Sequence, residues 1–520
     1  MFNHRLFGGL TMDRRCIFLT PYDQDILDPS GKARAFLRGL KKSSPTPVPT
    51  IFNHIKRDDW LNQWSELRAK AIAALPPSIN TWLEATKAKY GPQGARFDLV
   101  ELKQAYARSY GHASTRKSYH VALIGRDYLL RYVRWTAQRF GFPQFDYAYR
   151  GIVGTSAALP TMLDKGDYYA ETLTLPFWSH PIPMLPGERN QRGKHRCINQ
   201  DAVFNVRRIE GVLNSVRKWL VKYTPWFTSW ENPTYRLAPL ITEAILKSSV
   251  SIETDFKACD EHFSFESVSN VVLPVYEYLV PDQFVGFASF VEDLFDQPIY
   301  FGDRVWTGRH NLLSGQCITN DFETIYDVCV CIGAALVNGI EDYLLLCNGD
   351  DIAFVMPYHY RNKSKVVHDT LVDEFQRNGM EMSLDKSSIR VGEVSFCRKY
   401  YAPGVGPMLY NKDGLPYLLG VYPDYLTLNS IINPERRSIG AESTVATLQR
   451  CDNLYGSPLF TPFVQFLWSR AKGELFVDDL DEVASSLPLD WWTRLYGEIW
   501  TSQKSPTLSV MRQSNLRLVK

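Results

Sequence analysis

The chain has 520 residues, 45% of them hydrophobic and 13% aromatic, which excludes a disordered polymer and is too much for one compact core, so two or three subdomains are expected. Its 58 lysines and arginines against 56 aspartates and glutamates leave a net charge of +2; this excludes a uniformly basic nucleic-acid coat, and any nucleic-acid channel has to be a local patch. The nine cysteines contain no Cys-x-x-Cys, which excludes a zinc module or disulfide framework and fits free thiols in a reducing compartment.

Met1 to Leu10 lacks the apolar core of a signal peptide. The longest apolar run, Val328 to Val337, is too short to span a bilayer. A soluble, intracellular protein is the expectation. The first 50 residues end in Pro45-Thr46-Pro47-Val48-Pro49, and such alternating prolines read as an extended arm or connector. Trp60, Trp64, Leu67 and Ala71 recur at helical spacing and predict a helix over Trp60 to Leu75. A second helix follows, with Thr81 and Glu84 as a capping box and Gly91 as its stop. Tyr106 to Arg139 interleaves arginines and lysines with aromatics, as a solvated helix face or an RNA-contacting surface would.

Gly151 to Pro160 is a loop of small residues that lets a nucleic-acid backbone approach closely. Within Glu188 to Ile198, the cations Arg189, Arg192, Lys194 and Arg196 are spaced by polar residues. Strand alternation puts Lys194 and Arg196 on one face, which suits a triphosphate as it also suits a basic surface strand. Ser249 to Ile252 is β-prone; Asp255 ends that strand and Asp260 falls in the next turn or first helical turn. The two carboxylates can point at one site, or serve as a helix cap and its solvated neighbour. Ser314-Gly315 is a flexible loop leading into a buried helix through Val337, with Thr319, Asn320, Glu323 and Thr324 near its start. These residues are either caps or contacts to sugar hydroxyls and a template backbone.

The centre of the chain is Leu344 to Val355, two apolar runs around Asn348-Gly349-Asp350-Asp351. That is a hairpin signal, buried on both faces. Two carboxylates at its tip repel each other, and Mg²⁺ or Mn²⁺ would relieve the repulsion. An ordinary exposed turn is the alternative. Beyond it come an amphipathic helix over His368 to Asn378, Lys386 after Asp385, and a strand over Val394 to Tyr400. A Pro-Gly boundary follows near Pro403, then a hairpin turn at Asn411 to Gly414, and aromatic-rich helices to about Trp500. No internal repeat is present. Thr501 to Lys520 has no acidic residue and reads as an open terminus.

In order, the chain offers an Asp-x₄-Asp strand end, a Ser-Gly-x₃-Thr-Asn helix start, a Gly-Asp-Asp hairpin, a Gly…Asp-Lys-Ser segment and a Phe-Cys-Arg-Lys strand. This series resembles motifs A to E of viral RNA-dependent RNA polymerases of the picornavirus-like group. Gly193 to Ile198 is similar to the basic fingers motif, and Thr155 to Pro160 to the loop that receives template, with Ala158 where many members have Gly. The pattern is closest to the picobirnaviruses, then the partitiviruses, whose polymerases stand on their own genome segment.

The resemblance implies an α/β (α+β) right hand closed by an N-terminal arm. The arm would be 1–50, the fingers 51–248, the palm 249–402 with 281–311 able to return to the fingers, the thumb 403–500, and the tail 501–520. It implies nucleotidyl transfer with two Mg²⁺ or Mn²⁺ ions ~4 Å apart, held by Asp255, Asp350 and Asp351, with Lys386 as proton donor to the leaving pyrophosphate. Lys194 and Arg196 would hold the triphosphate, and Asp260, Ser314 and Asn320 the ribose. Thr155, Ser156, Arg189, Arg192, Gly315, Thr319, Arg398 and Lys399 would contact RNA. Template and product RNA, NTPs and the viral capsid protein are the implied partners of a monomer working in the virion interior and host cytoplasm, without a membrane. The tail would then lie in the empty channel. The rivals are a reverse transcriptase and a non-catalytic RNA-binding virion protein.

Overall fold

The structure, a computed structural model, describes residues 16–40, 57–73, 75–87, 104, 106–110, 118–146, 157–163, 181–191, 194–230, 234–257, 259–282, 284–383, 387–406, 408–410, 414–432, 441–470, 480–486 and 500–514, with 188–191 and 194–197 described as backbone only. The helices used below are α1 (Arg57–Ile72), α2 (Pro77–Lys87), α3 (His120–Phe140), α4 (Val203–Tyr223), α5 (Thr319–Val337), α6 (Ser364–Arg377), α7 (Asp424–Ile432), α8 (Ala441–Asp452), α9 (Phe460–Trp468) and α10 (Pro506–Gln513). The strands are β1 (Leu185–Gln191), β2 (Lys194–Gln200), β3 (Ser249–Thr254), β4 (Leu344–Asn348), β5 (Asp351–Pro357), β6 (Ser388–Val391), β7 (Val394–Phe396) and β8 (Lys399–Tyr401).

A four-stranded antiparallel sheet of order β6-β3-β5-β4 lies at the centre. Every residue of β3 is buried, as is β5 from Ile352 to Met356, so the unbroken apolar runs of the sequence report a sheet covered on both faces. Thr254 pairs with Ile352 and Asn348 with Asp351, which brings the end of β3 and the β4–β5 turn to one end of the sheet. The outer edge of β4 is closed by side chains. Thr228 Oγ1 donates to the Leu345 carbonyl at 2.6 Å, and Ser229 Oγ accepts from the Cys347 N–H at 2.7 Å. An edge strand covered in this way offers little to other chains.

Helix α5 is the core element. It is buried at every position from Asp321 to Ala335, as its apolar run from Val328 onward requires. Helix α3 lies against it at backbone contact. A Cβ on Gly125 would sit 1.8 Å from the Cys329 carbonyl oxygen, and one on Gly333 2.0 Å from that of Val121. Alanine at either position would push the two helices apart.

A second core gathers the C-terminal helices, and α1 and α2 belong to it. Trp60 and Trp64, one turn apart, meet Phe466 and Phe463 edge-on at 5.3 and 5.0 Å. Trp64 Nε1 and Arg68 Nε both donate to Asp424 Oδ2 at 2.7 Å, and Arg68 also pairs with Glu84. Chain order puts these helices in 51–248, and their indoles and the Arg68 charge find their partners among the C-terminal helices.

Some expectations are corrected. Helix α2 starts at Pro77, a favoured first position. Thr81 is therefore inside the helix, donating to the Pro77 carbonyl at 3.0 Å, and makes no capping box. The Val394 to Tyr400 strand is two strands, β7 and β8, joined by Cys397 and Arg398, both with positive φ (47° and 65°). Neither residue type signals such a turn. The tail is neither open nor in a channel over Thr501 to Ser514. Helix α10, capped by Ser505, buries Leu508 and Met511 in the second core. Asp452 fixes the segment, accepting from Trp500 Nε1 at 2.8 Å, Ser505 Oγ at 3.0 Å and the Thr507 N–H at 2.9 Å.

The strands within 281–311 lie outside the central sheet. Ile299–Tyr300 and Arg304–Trp306 pair with each other, Arg304–Trp306 pairs with Cys16–Phe18 of the arm, and Ile299 bridges to Met184 just before β1. Among the described residues no helix is long and apolar enough to cross a membrane, and the described cysteines are free thiols.

Candidate active site

Asp255 follows Thr254 at the end of β3, one step beyond the Thr254–Ile352 pair and so level with Asp351. Asp350 and Asp351 are exposed at the β4–β5 turn, and Asp255 is half-buried. Gly349 has φ +58°, a left-handed conformation suited to the tight turn. Its N–H donates to Thr324 Oγ1 at 2.8 Å, and a Cβ there would stand 3.0 Å from Asn320 Oδ1. The turn therefore rests on the first two turns of α5, and the sheet end, the hairpin tip and the helix start form one site.

Charge is concentrated there. Burial first, then the charges of Asp260, Asp350 and Asp327, pushes the Glu323 carboxyl well above its usual range. Asp327, one turn further along α5, is pushed up by burial and by Asp350. Glu323 Oε1 and Asp327 Oδ2 are buried with no hydrogen-bond partner. The same effects push up the Cys259 thiol, beside Asp260 in the short Cys259–His262 helix, with burial the largest and Glu323 next. Among the described residues, no three histidine, cysteine or carboxylate side chains already stand at metal-ligand spacing.

The Ser314-Gly315 loop is pressed against the end of β2. Asn199 N–H donates to the Ser314 carbonyl at 2.7 Å, and a Cβ on Gly315 (φ +96°) would lie 2.2 Å from the Asn199 carbonyl oxygen. This contact ties the strand that carries Lys194 and Arg196 to the approach to α5. Arg196 pairs in register with Arg189 across β1 and β2; the side chains of these cations lie outside the described residues. Asn320 and Gly315 are exposed, while Ser314 and Thr319 are half-buried, Thr319 Oγ1 donating to the Leu313 carbonyl at 3.3 Å.

On the other side of the tip, Asn348 Nδ2 donates to Cys397 Sγ at 3.9 Å. Arg398 is exposed beside it. Lys399 is not: it is 4% exposed, and burial pushes its ammonium down to about 8. It was expected on the RNA surface, but it faces the interior, because the two-residue turn shifts β8 out of the alternation a single strand would have. Thr155, Ser156, Arg192 and Lys386 lie outside the described residues. Next to the first two, Ala158 holds φ +52°, the left-handed region that favours glycine.

Sequence reasoning missed the supports of the site. Glu253, two residues before Asp255, accepts from the Ser395 N–H at 2.6 Å, Ser388 Oγ at 3.0 Å and Arg390 Nε at 3.0 Å, fastening β6 and β7 to β3. Arg217 of α4 holds Asp321 through two nitrogens, at 2.7 to 3.0 Å. Asp201 accepts from the Cys317 N–H at 3.2 Å and from Gln297 Nε2 at 2.9 Å. A buried acid was the available signal; its partners, about a hundred or more residues away, were not.

No family model matches the chain, and no curated protein matches it in sequence. Its fold is similar to the crystal structure of the RNA-dependent RNA polymerase of a human picobirnavirus, with a TM-score of 0.77 and 16% identity over 96% of this chain and 100% of that one. The insertion-loop deletion mutant of that polymerase matches with a TM-score of 0.75 over the same shares, again at 16% identity. The chain thus has the right-hand polymerase fold that its motif series implied.

Proposed function

We propose that the chain is an RNA-dependent RNA polymerase of a picobirnavirus-like double-stranded RNA virus, copying RNA templates from NTPs. The observation that carries this reading is the meeting of Asp255, Asp350 and Asp351 with the start of α5 at one sheet end, inside a polymerase fold.

The donor set fits divalent cations. Asp255, Asp350 and Asp351 are hard oxygen ligands that would hold two Mg²⁺ or Mn²⁺ ions. Burial and the charge of Asp350 both push the Glu323 and Asp327 carboxyls up, so negative charge is crowded here and a cation would relieve it. When bound, the ions would supply activation of a 3′-hydroxyl and neutralisation of the pyrophosphate.

The chain's own groups do the rest in this reading. Lys194 and Arg196 grip the triphosphate, and Lys386 gives a proton to the departing pyrophosphate. Asp260 and Asn320 read a 2′-hydroxyl, which both donates and accepts. Ser314 supports the ribose. Thr155, Ser156, Arg189, Arg192, Gly315, Thr319 and Arg398 steady the RNA backbone, while buried Lys399 supports the β7–β8 hairpin. A monomer working in the virion interior and host cytoplasm, with the capsid protein as partner, belongs to the same proposal.

The test is incorporation on a defined RNA template with Mg²⁺ and four NTPs. Template-length RNA product supports the reading. Product from dNTPs alone would make the chain a reverse transcriptase, and RNA binding without product a non-catalytic protein.

A further inference from the structure

Helix α3 has two unlike faces. Val121, Gly125, Leu129, Val133 and Ala137 go into the core. The face turned away from α5 exposes Arg131, Arg134, Trp135 and Arg139, and continues into Phe140 and Phe142. Trp135 and Phe140 are each 53% exposed and Phe142 48%, a large apolar area for one surface to leave in water.

Cations and rings alternate across this face. The Arg139 guanidinium stands 5.6 Å from the Trp135 ring centre and 5.5 Å from that of Phe140. Arg134 stands 5.5 Å from Tyr278, and Lys222 of α4 4.8 Å from Tyr223, which stacks on Phe140 at 5.2 Å. Several other surface arginines are paired with acids: Arg108 with Glu261, Arg309 with Glu292 and Asp296, Arg377 with Asp373. Among the described residues no carboxylate pairs with Arg131, Arg134, Arg139 or Lys222. The nearest acid on the helix, Asp127, is held by Arg126.

Half-exposed rings beside cations that lack carboxylate partners match single-stranded RNA, whose phosphates meet the cations while its unpaired bases stack on the exposed parts of the rings, Trp135 above all. A duplex hides its base faces and would leave Trp135 and Phe140 in water. An acidic peptide would satisfy the arginines, but its carboxylates would not stack on the rings. We propose that the outer face of α3, with Lys222, is a binding site for single-stranded RNA outside the carboxylate site. The inference stands on this face and not on the polymerase reading, which supplies only a reason for template or released strand to be nearby.

The experiment is photocrosslinking of a short 4-thiouridine-containing single strand to the full chain, with the crosslinked peptides mapped and binding measured across salt concentration. Crosslinks are expected at Trp135, Phe140 or Phe142. Trp135→Ala should weaken crosslinking there by about 5-fold or more, the loss of one stacked base. The triple change Arg131→Ala, Arg134→Ala, Arg139→Ala should reduce the slope of log affinity on log salt by about 2. Crosslinks confined to other segments, or an unchanged slope, would overturn the site. So would polyglutamate competing as well as unlabelled RNA, which would make the face a docking surface for an acidic protein. Asp350→Asn, run in parallel, should keep these crosslinks, so the site and the polymerase reading fail separately.

Discussion

The Gly349 N–H donates to Thr324 Oγ1 at 2.8 Å, and the Thr324 hydroxyl donates in turn to the Asn320 carbonyl at 2.7 Å. One side chain thus fixes the acidic hairpin to the helix that carries the expected ribose contact. Thr324→Val keeps the shape and removes both bonds, leaving a buried N–H unsatisfied at a cost of about 1–3 kcal/mol. Elongation should fall by roughly tenfold or more, since small displacements of reacting groups are costly, and Thr324→Ser should restore it. Elongation rates and melting curves of the two variants, side by side, check this; wild-type elongation by Thr324→Val would disconnect the hairpin from α5.

Sugar choice is the next prediction. Asn320 is exposed at the start of α5, its Oδ1 facing the Gly349 backbone. Asn320→Ala should narrow the NTP-over-dNTP preference in kcat/KM by a modest factor, because one hydrogen bond between neutral groups is worth only ~1 kcal/mol. Gly349→Ala should be far worse for both substrates, since it adds a left-handed alanine to the contact with Asn320. An unchanged preference in Asn320→Ala would remove that residue from the ribose site.

The C-terminal segment is predicted to act through stability. Leu508→Ala should cost about 2–5 kcal/mol, as for other buried leucines, and deleting Thr501 to Lys520 should cost more. Asp452 adds a pH dependence. Burial raises its carboxyl from 3.8 to about 6, against the lowering effect of bonds from Thr507, Trp500 and Ser505. The folded chain then holds a proton that the unfolded chain releases, so this contribution is full below 3.8 and is lost as the pH rises through about 6. Melting temperatures of wild type and Asp452→Asn across that range should show a pH-dependent difference. A truncated chain that melts like the full one but initiates faster would return the segment to the channel.

The sequence carried the site's centre because its signals are local. Asn348 to Asp351 turns between two apolar runs, Asp255 ends a buried strand, and α5 ends at Val337 as its apolar pattern requires. What was not legible depends on distant partners or on unusual backbone. Trp64 and Arg68 meet Asp424 some 360 residues away, a partner that chain order does not reveal. Cys397 and Arg398 turn a chain with residues that rarely adopt positive φ, so two strands read as one and Lys399 was put on the wrong side. In α10 the sparse apolar residues Leu508 and Met511 looked too few to matter until Asp452 supplied the anchor.

The most direct test of the central claim is metal-dependent elongation by wild type and Asp350→Asn on one primed RNA template with Mg²⁺ and four NTPs. The substitution keeps the hairpin's size and removes one charge from the tip. The account predicts processive extension by wild type, none by Asp350→Asn, and near-equal RNA binding by both. Elongation by Asp350→Asn at the wild-type rate would contradict it.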